Sequence, residues 1–202
     1  MKTATIQSTD GLVKLRTQQA DAVCSMFELS PQGAALLEEI PDSASLLSAL
    51  MAAELWVDAI RFLAYGLPAR HAVWWACLCA RATIAGGANA RQEAALASAE
   101  AWVLKPTESN RRAAEACAQE AGYRSAASWA AVAAVWSGGS LAPPDVPAVP
   151  PKDGLSSTAV ASAIQLAATT DPFQVQIRFR EFLEWGIDIA RGGRGQRPPA
   201  GA

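Results

Sequence analysis

The stretch Gly66–Ala82, GLPARHAVWWACLCARA, limits what this chain can fold into more than any other. Gly66 can close a preceding helix in a left-handed cap, and Pro68 suits the first turn of the next. From Ala69 the pattern is helical. Trp74, Cys77, Leu78 and Arg81 share one side, and His71, Trp75, Cys79 and Ala82 share the other. A helix that is apolar over most of its circumference is buried. The spacing therefore predicts a central helix, with Trp74 and Cys77 in the core and the other helices packed around it.

Start and stop signals divide the rest of the chain. Thr17 can cap a short helix to about Phe27. Ser30-Pro31 opens a helix carrying Ala34, Leu36, Leu37 and Ile40, and Pro41 ends it. Asp42 or Ser43 caps the next, which carries Leu46, Leu47, Leu50 and Met51. In Ala53–Tyr65 the inward set is Leu55, Ala59, Phe62 and Leu63, while Glu54, Asp58 and Arg61 read as a solvated, ion-paired face. Beyond the central helix, Ala85-Gly86-Gly87 is a break. Asn89 caps a helix through Lys105, with Ala94, Leu96, Ala97, Ala101 and Val103 apolar. Thr107 opens one to Ala121, with Gly122 after it, and Ser125 opens one to Trp136. The Ser125 helix is almost wholly Ala, Val and Trp, so it is expected to be buried. Ser156 or Ser157 starts a helix of small residues, and Asp171-Pro172 starts a last one to Ala190, with Val175, Phe179, Phe182, Gly186 and Ile189 in one stripe. No segment alternates as a strand does. The reading is all-α: a single domain of about ten helices packed as stacked helical hairpins.

The segment 137–155, SGGSLAPPDVPAVPPKDGL, is different in kind, with five prolines and three glycines. It cannot be helical and favours extended backbone. An idle linker would carry more Ser, Gly and charge, whereas here Leu141, Val146, Val149 and Leu155 recur among the prolines. The segment is therefore expected to lie ordered against the helices near Trp129 and Trp136. Residues 1–16 read as a flexible lead, 17–191 as the helical domain and 192–202, GGRGQRPPAGA, as a disordered tail.

The residues argue against most chemistry. Cys77 and Cys79 look like half a metal site, but two residues on a helix are about 200° apart, so their thiols point oppositely. His71 is the sole histidine, and no C-x-x-C occurs, so no metal is expected. No G-x-S-x-G accompanies it, and no catalytic group or cofactor is expected. Ser137-Gly-Gly-Ser140 lacks the lysine and the length of a P-loop. Glu181, Glu184 and Asp188 lie among Arg178, Arg180 and Arg191, as on a salt-bridged surface. The net charge of −2 argues against a nucleic-acid surface. The longest apolar runs are too short to span a membrane. The opening MKTATIQSTDGLVK has no apolar core of a signal peptide, and the four cysteines read as reduced thiols, so a cytoplasmic location is expected.

Seven tryptophans are many for this length, and tryptophan is enriched where proteins bind one another. Four segments carry a family likeness: Asp58–Tyr65 running into Gly66-Leu-Pro68, Ala72-Val-Trp-Trp-Ala-Cys77, Trp136-Ser-Gly-Gly-Ser-Leu-Ala-Pro-Pro144, and Gly186-Ile-Asp-Ile-Ala190. With them the chain resembles an uncharacterised family of bacterial all-helical proteins associated with type VI secretion gene neighbourhoods. That resemblance implies an adaptor, chaperone or accessory role.

The leading expectation is a non-catalytic adaptor with a protein partner, a secretion effector or component among the candidates. The candidate partner-binding residues are Arg70, His71, Trp75, Trp136, Leu141, Pro143 and Pro144. The rival is a small enzyme or ligand-binding domain with a pocket around Arg70, His71, Trp74 and Trp75.

Overall fold

Ser30, Asp42, Asn89, Thr107 and Ser125 each accept a backbone N–H from the residue three positions on, and so close the helix starts they mark in the sequence. A computed structural model describes residues 11–84, 89–143 and 145–195. Ten helices occur among them, and no strand: α1 Ala20–Cys24, α2 Pro31–Glu39, α3 Ser43–Ala52, α4 Trp56–Gly66, α5 Ala69–Ile84, α6 Ala90–Leu104, α7 Glu108–Ala121, α8 Ala126–Val135, α9 Leu155–Ala168 and α10 Val175–Ala190. The Ala85-Gly86-Gly87 break lies outside the described residues. The architecture is the all-α single domain expected.

Several boundaries differ from the sequence reading. Gly66 is the last residue of α4 and does not take a left-handed φ, and α4 starts at Trp56 rather than Ala53. Helix α9 starts at Leu155 with Gly154, not Ser156 or Ser157, at its N-cap. Thr17 accepts a bond from Gln19 rather than capping a helix, and α1 is five residues long. Asp171 accepts the Phe173 N–H and closes a turn, so the last helix starts at Val175.

The centre is shared rather than held by α5 alone. Helix α5 packs on α6, α8, α9 and α10, while α8 packs on α5, α6, α7 and α9. Nine of the ten α8 residues are buried, as its lack of polar residues predicts. Alanine leaves little side chain between helix backbones, which lets these four neighbours approach closely.

The phase of α5 is off by one position from the expected one. Trp75 is fully enclosed, and its indole N–H donates to the Phe182 carbonyl of α10 at 2.6 Å. Trp74 is half-buried, and its indole donates to the Arg194 carbonyl at 3.0 Å. Cys77 and Cys79 are both sealed in the core, where burial pushes each thiol well above its usual pKa. On α2, Ala34 faces solvent; on α6 the buried face is Ala95, Leu96, Ala99, Trp102 and Val103, while Ala94, Ala97 and Ala101 are exposed.

The expected solvated face of α4 also fails at its middle. Asp58 is buried and accepts from the N–H and the hydroxyl of Ser30, so it anchors the N-cap of α2. A Cβ on Gly33 would come within 2.6 Å of this carboxylate. Arg61 donates to the Glu28 carbonyl, and Glu54, in the turn between α3 and α4, takes a positive φ of 57°.

Both ends of the domain are packed where they are described. Leu12 and Leu15 are buried, and the Lys14 and Arg16 N–H groups donate to the Ala190 and Gly66 carbonyls. Residues 11–16 are thus part of the fold rather than a flexible lead. At the other end Gly195 is buried, and its N–H donates to the Asp188 carboxylate at 2.7 Å. Residues 192–194 are exposed but held by hydrogen bonds to Ile189, Asp188 and Trp74; residues 1–10 and 196–202 lie outside the described residues. No helix among the described residues is long and apolar enough to cross a membrane.

Candidate functional site

The proline-rich segment leaves α8 at Trp136 and reaches α9 at Leu155 as an arc held from below. Arg111, on α7, is only 3% exposed. Its guanidinium donates to the Val135 carbonyl at 3.0 Å, to the Ser140 carbonyl at 2.8 Å and to both oxygens of Glu108. Arg112 donates to the Ala142 carbonyl at 2.7 Å and to Glu108 and Glu115. The arc is closed on itself by Leu141 N–H to Val149 carbonyl, 2.8 Å, and Val149 N–H to the Ser140 hydroxyl, 3.0 Å. Prolines supply carbonyls and no N–H, so two arginines from one helix satisfy this backbone well.

The segment is therefore ordered, but its apolar side chains do not all dock. Leu141 and Leu155 are half-buried, whereas Val146 and Val149 stay about half exposed. Pro143 is exposed, and Pro144 lies outside the described residues.

Trp136 stands between two concavities. On one side is an apolar groove of about 260 Å³ between α7 and α8, lined by Ala118, Tyr123, Trp129, Val132, Val135 and Trp136, with Glu115 at its rim. The Trp129 and Trp136 rings meet edge to face, 6.0 Å between centroids. Trp129 is fixed by its indole bond to the Tyr123 carbonyl, and Tyr123 is held outward, 47% exposed, at a positive φ of 56°. The Trp136 indole N–H has no partner among the described residues. On the other side, a polar cleft of about 300 Å³ runs beneath the arc from Ser137 to Ser157, and Arg16 and Ala69 also line it.

The remaining sequence candidates scatter. Arg70 donates to the Val103 and Leu104 carbonyls, the last acceptors of α6, and serves as a C-terminal cap. Trp75 is core and is not available to a partner. His71 is half-buried with an unpartnered Nδ1, and its pKa is lowered by burial, then by Lys14 and Arg70. The Trp74 indole donates to Arg194, and the Trp75 indole, sealed in the core, to Phe182, so the two indoles of the rival pocket have different surroundings. Among the described residues, no group of three His, Cys, Asp or Glu could hold a metal. A third cleft, of about 430 Å³, opens beside Ser30, Trp56, Asp58 and Phe179. Its deepest carboxylate, Asp58, is already engaged by Ser30. Arg111, Arg112 and Tyr123 were not singled out from the sequence. The pair Arg111-Arg112 one turn after a helix start was the only local signal, and it reads as ordinary helix surface.

A family model described as Family of unknown function (DUF6931) matches residues 46–190, more than half of the chain, from within α3 to the end of α10. No curated protein and no solved structure matches the chain.

Proposed function

The chain belongs to this family of unknown function, and we propose that it is a non-catalytic protein-binding module whose anchor site is the Trp129–Trp136 groove. The observation that carries the reading is the groove itself: an apolar trough with two crossed indoles, a tyrosine held outward at its edge and a free indole N–H. Aromatic rings with one unpaired donor suit an extended peptide segment, whose apolar side chains fill the trough while a carbonyl accepts from Trp136. The exposed Val146 and Val149 extend the apolar surface along the arc. The resemblance to proteins of effector-delivery neighbourhoods makes a secretion cargo or component the partner to try first.

Affinity capture with cross-linking tests this, using the unaltered chain, Tyr123→Asp and Phe173→Asp. Phe173 is 96% exposed in the turn between α9 and α10 and does not line the groove. The expected result is a partner held by the unaltered chain and by Phe173→Asp, and lost with Tyr123→Asp. A partner lost with Phe173→Asp alone would move the binding face to the α9–α10 turn and overturn the groove reading.

A further inference from the structure

We infer that the polar cleft beneath the arc is a binding site for a phosphomonoester, a role separate from the apolar groove. Four observations converge on it. Ser157 is 92% buried by its 8% exposure, lines the cleft, and its hydroxyl has no partner among the described residues. An unpartnered hydroxyl of a buried residue at the wall of a cleft can donate to a bound acceptor. Helix α9 begins at this wall with Gly154 as its N-cap, which brings no side chain to accept from the first turn. The Ser156 and Ser157 N–H groups therefore point out of the helix start with no intrahelical acceptor. The positive end of the α9 dipole lies here, and Ala69, the first residue of α5, also lines the cleft. Finally, Arg16 and Lys152 are both among the residues that line the cleft, and neither forms an ion pair among the described residues.

This set is a phosphoryl group's set: a hydroxyl, two helix N–H groups and two cations, drawn from several segments of the chain. It supplies from separate segments what Ser137-Gly-Gly-Ser140 lacks in sequence, with Lys152 arriving from the far end of the arc. Asp153 also lines the cleft and is exposed, so it opposes an anion and leaves Arg16 and Lys152 with a net excess of one charge. Trp136 forms part of the wall, an apolar surface against which the organic portion of a phosphomonoester can lie. A bare phosphate would not use that surface.

Titration by isothermal calorimetry and amide NMR at low ionic strength tests the inference, since salt screens these charges. The probes are inorganic phosphate, phenyl phosphate and, as a control, benzoate. Saturable binding of one phenyl phosphate is expected, with the Ser156 and Ser157 amides shifting, inorganic phosphate binding about tenfold more weakly, and benzoate not saturating. Lys152→Met and Ser157→Ala are each expected to weaken phenyl phosphate by about tenfold, and Asp153→Asn to tighten it. Lys152 and Asp153 are exposed, so those variants test binding without disturbing the core. Absence of saturation by both phosphates, or unchanged affinity in Lys152→Met and Asp153→Asn together, would overturn the site. Equal affinity for the two phosphates would overturn the phosphomonoester assignment. Loss of the groove partner with Tyr123→Asp is a separate readout and leaves this one untouched.

Discussion

Trp75 and Gly186 fit together as a ring and the gap made for it. A Cβ on Gly186 would lie 2.7 Å from the Trp75 indole and 2.6 Å from Leu63. The absence of a side chain at this one point of α10 lets the indole cross the helix and reach the Phe182 carbonyl. The seam between α5 and α10 thus depends on a bulky and a minimal residue from distant parts of the chain.

The two adjacent tryptophans should consequently behave very differently. Trp75→Ala removes a fully enclosed ring and is expected to cost roughly 3–5 kcal/mol of unfolding free energy. Gly186→Ala overpacks the same seam and is expected to cost roughly 1–3 kcal/mol. Trp74→Ala, at a half-buried site, should cost clearly less than Trp75→Ala. Urea unfolding of the three variants measures this, and an equal or larger loss for Trp74→Ala would place the wrong indole in the core.

The thiols offer a second test. Cys77 and Cys79 are sealed, and Cys24 is buried with its pKa pushed up to about 11 by burial first and then by Asp21 and Asp58. Only the thiolate reacts, so all three should be inert at neutral pH. Cys117 is half-buried and is expected to be the one that reacts in the folded chain. Titration with a disulfide reagent at pH 7 should find about one thiol in the native protein and all four cysteines in denaturant. Rapid native reaction of Cys77 or Cys79, located by peptide mapping, would show that α5 opens.

What the sequence disclosed and what it hid follow from the range of the interactions. Helix starts were legible because a cap is local: Ser30, Asp42, Asn89, Thr107 and Ser125 each act within three residues. The burial of α8 was legible from its composition alone. The phase of α5 was not, because a run apolar all round has no preferred face. Its rotation is set by where Gly186 leaves room. Asp58 reads as a surface charge by spacing, since nothing within α4 announces that Ser30 will supply two donors to it. The anion cleft draws on Arg16, on the loop after Trp136 and on the start of α9, which no single-segment motif can encode.

Arg111 ties these levels together, and its removal gives the last expectation. One guanidinium, nearly sealed, serves the end of α8, the arc and Glu108 at once. Arg111→Met keeps the apolar stem but strands the Val135 and Ser140 carbonyls, and hydrogen bonds to charged groups of this kind are worth about 1.5–3 kcal/mol each. Stability should fall by at least that of one such bond, and the arc should loosen. Limited proteolysis reads the second effect directly: cleavage within 138–154 should be slow in the unaltered chain and fast in Arg111→Met. The acid limb of stability carries an independent signature. Arg111 first, with Arg112 adding to it, holds the Glu108 carboxyl at about 2 rather than its usual 4.5. A carboxylate depressed in the folded state stabilises it above the unfolded pKa, and that contribution is lost as the pH falls from about 4.5 towards 2. Glu108 is largely exposed, so solvent screening keeps this contribution modest. Between those pH values the unaltered chain should lose stability more steeply than Arg111→Met, whose Glu108 titrates nearer its ordinary range. Parallel acid limbs in the two proteins, with equal cleavage of the arc, would mean that Arg111 neither pins the segment nor binds Glu108 in solution.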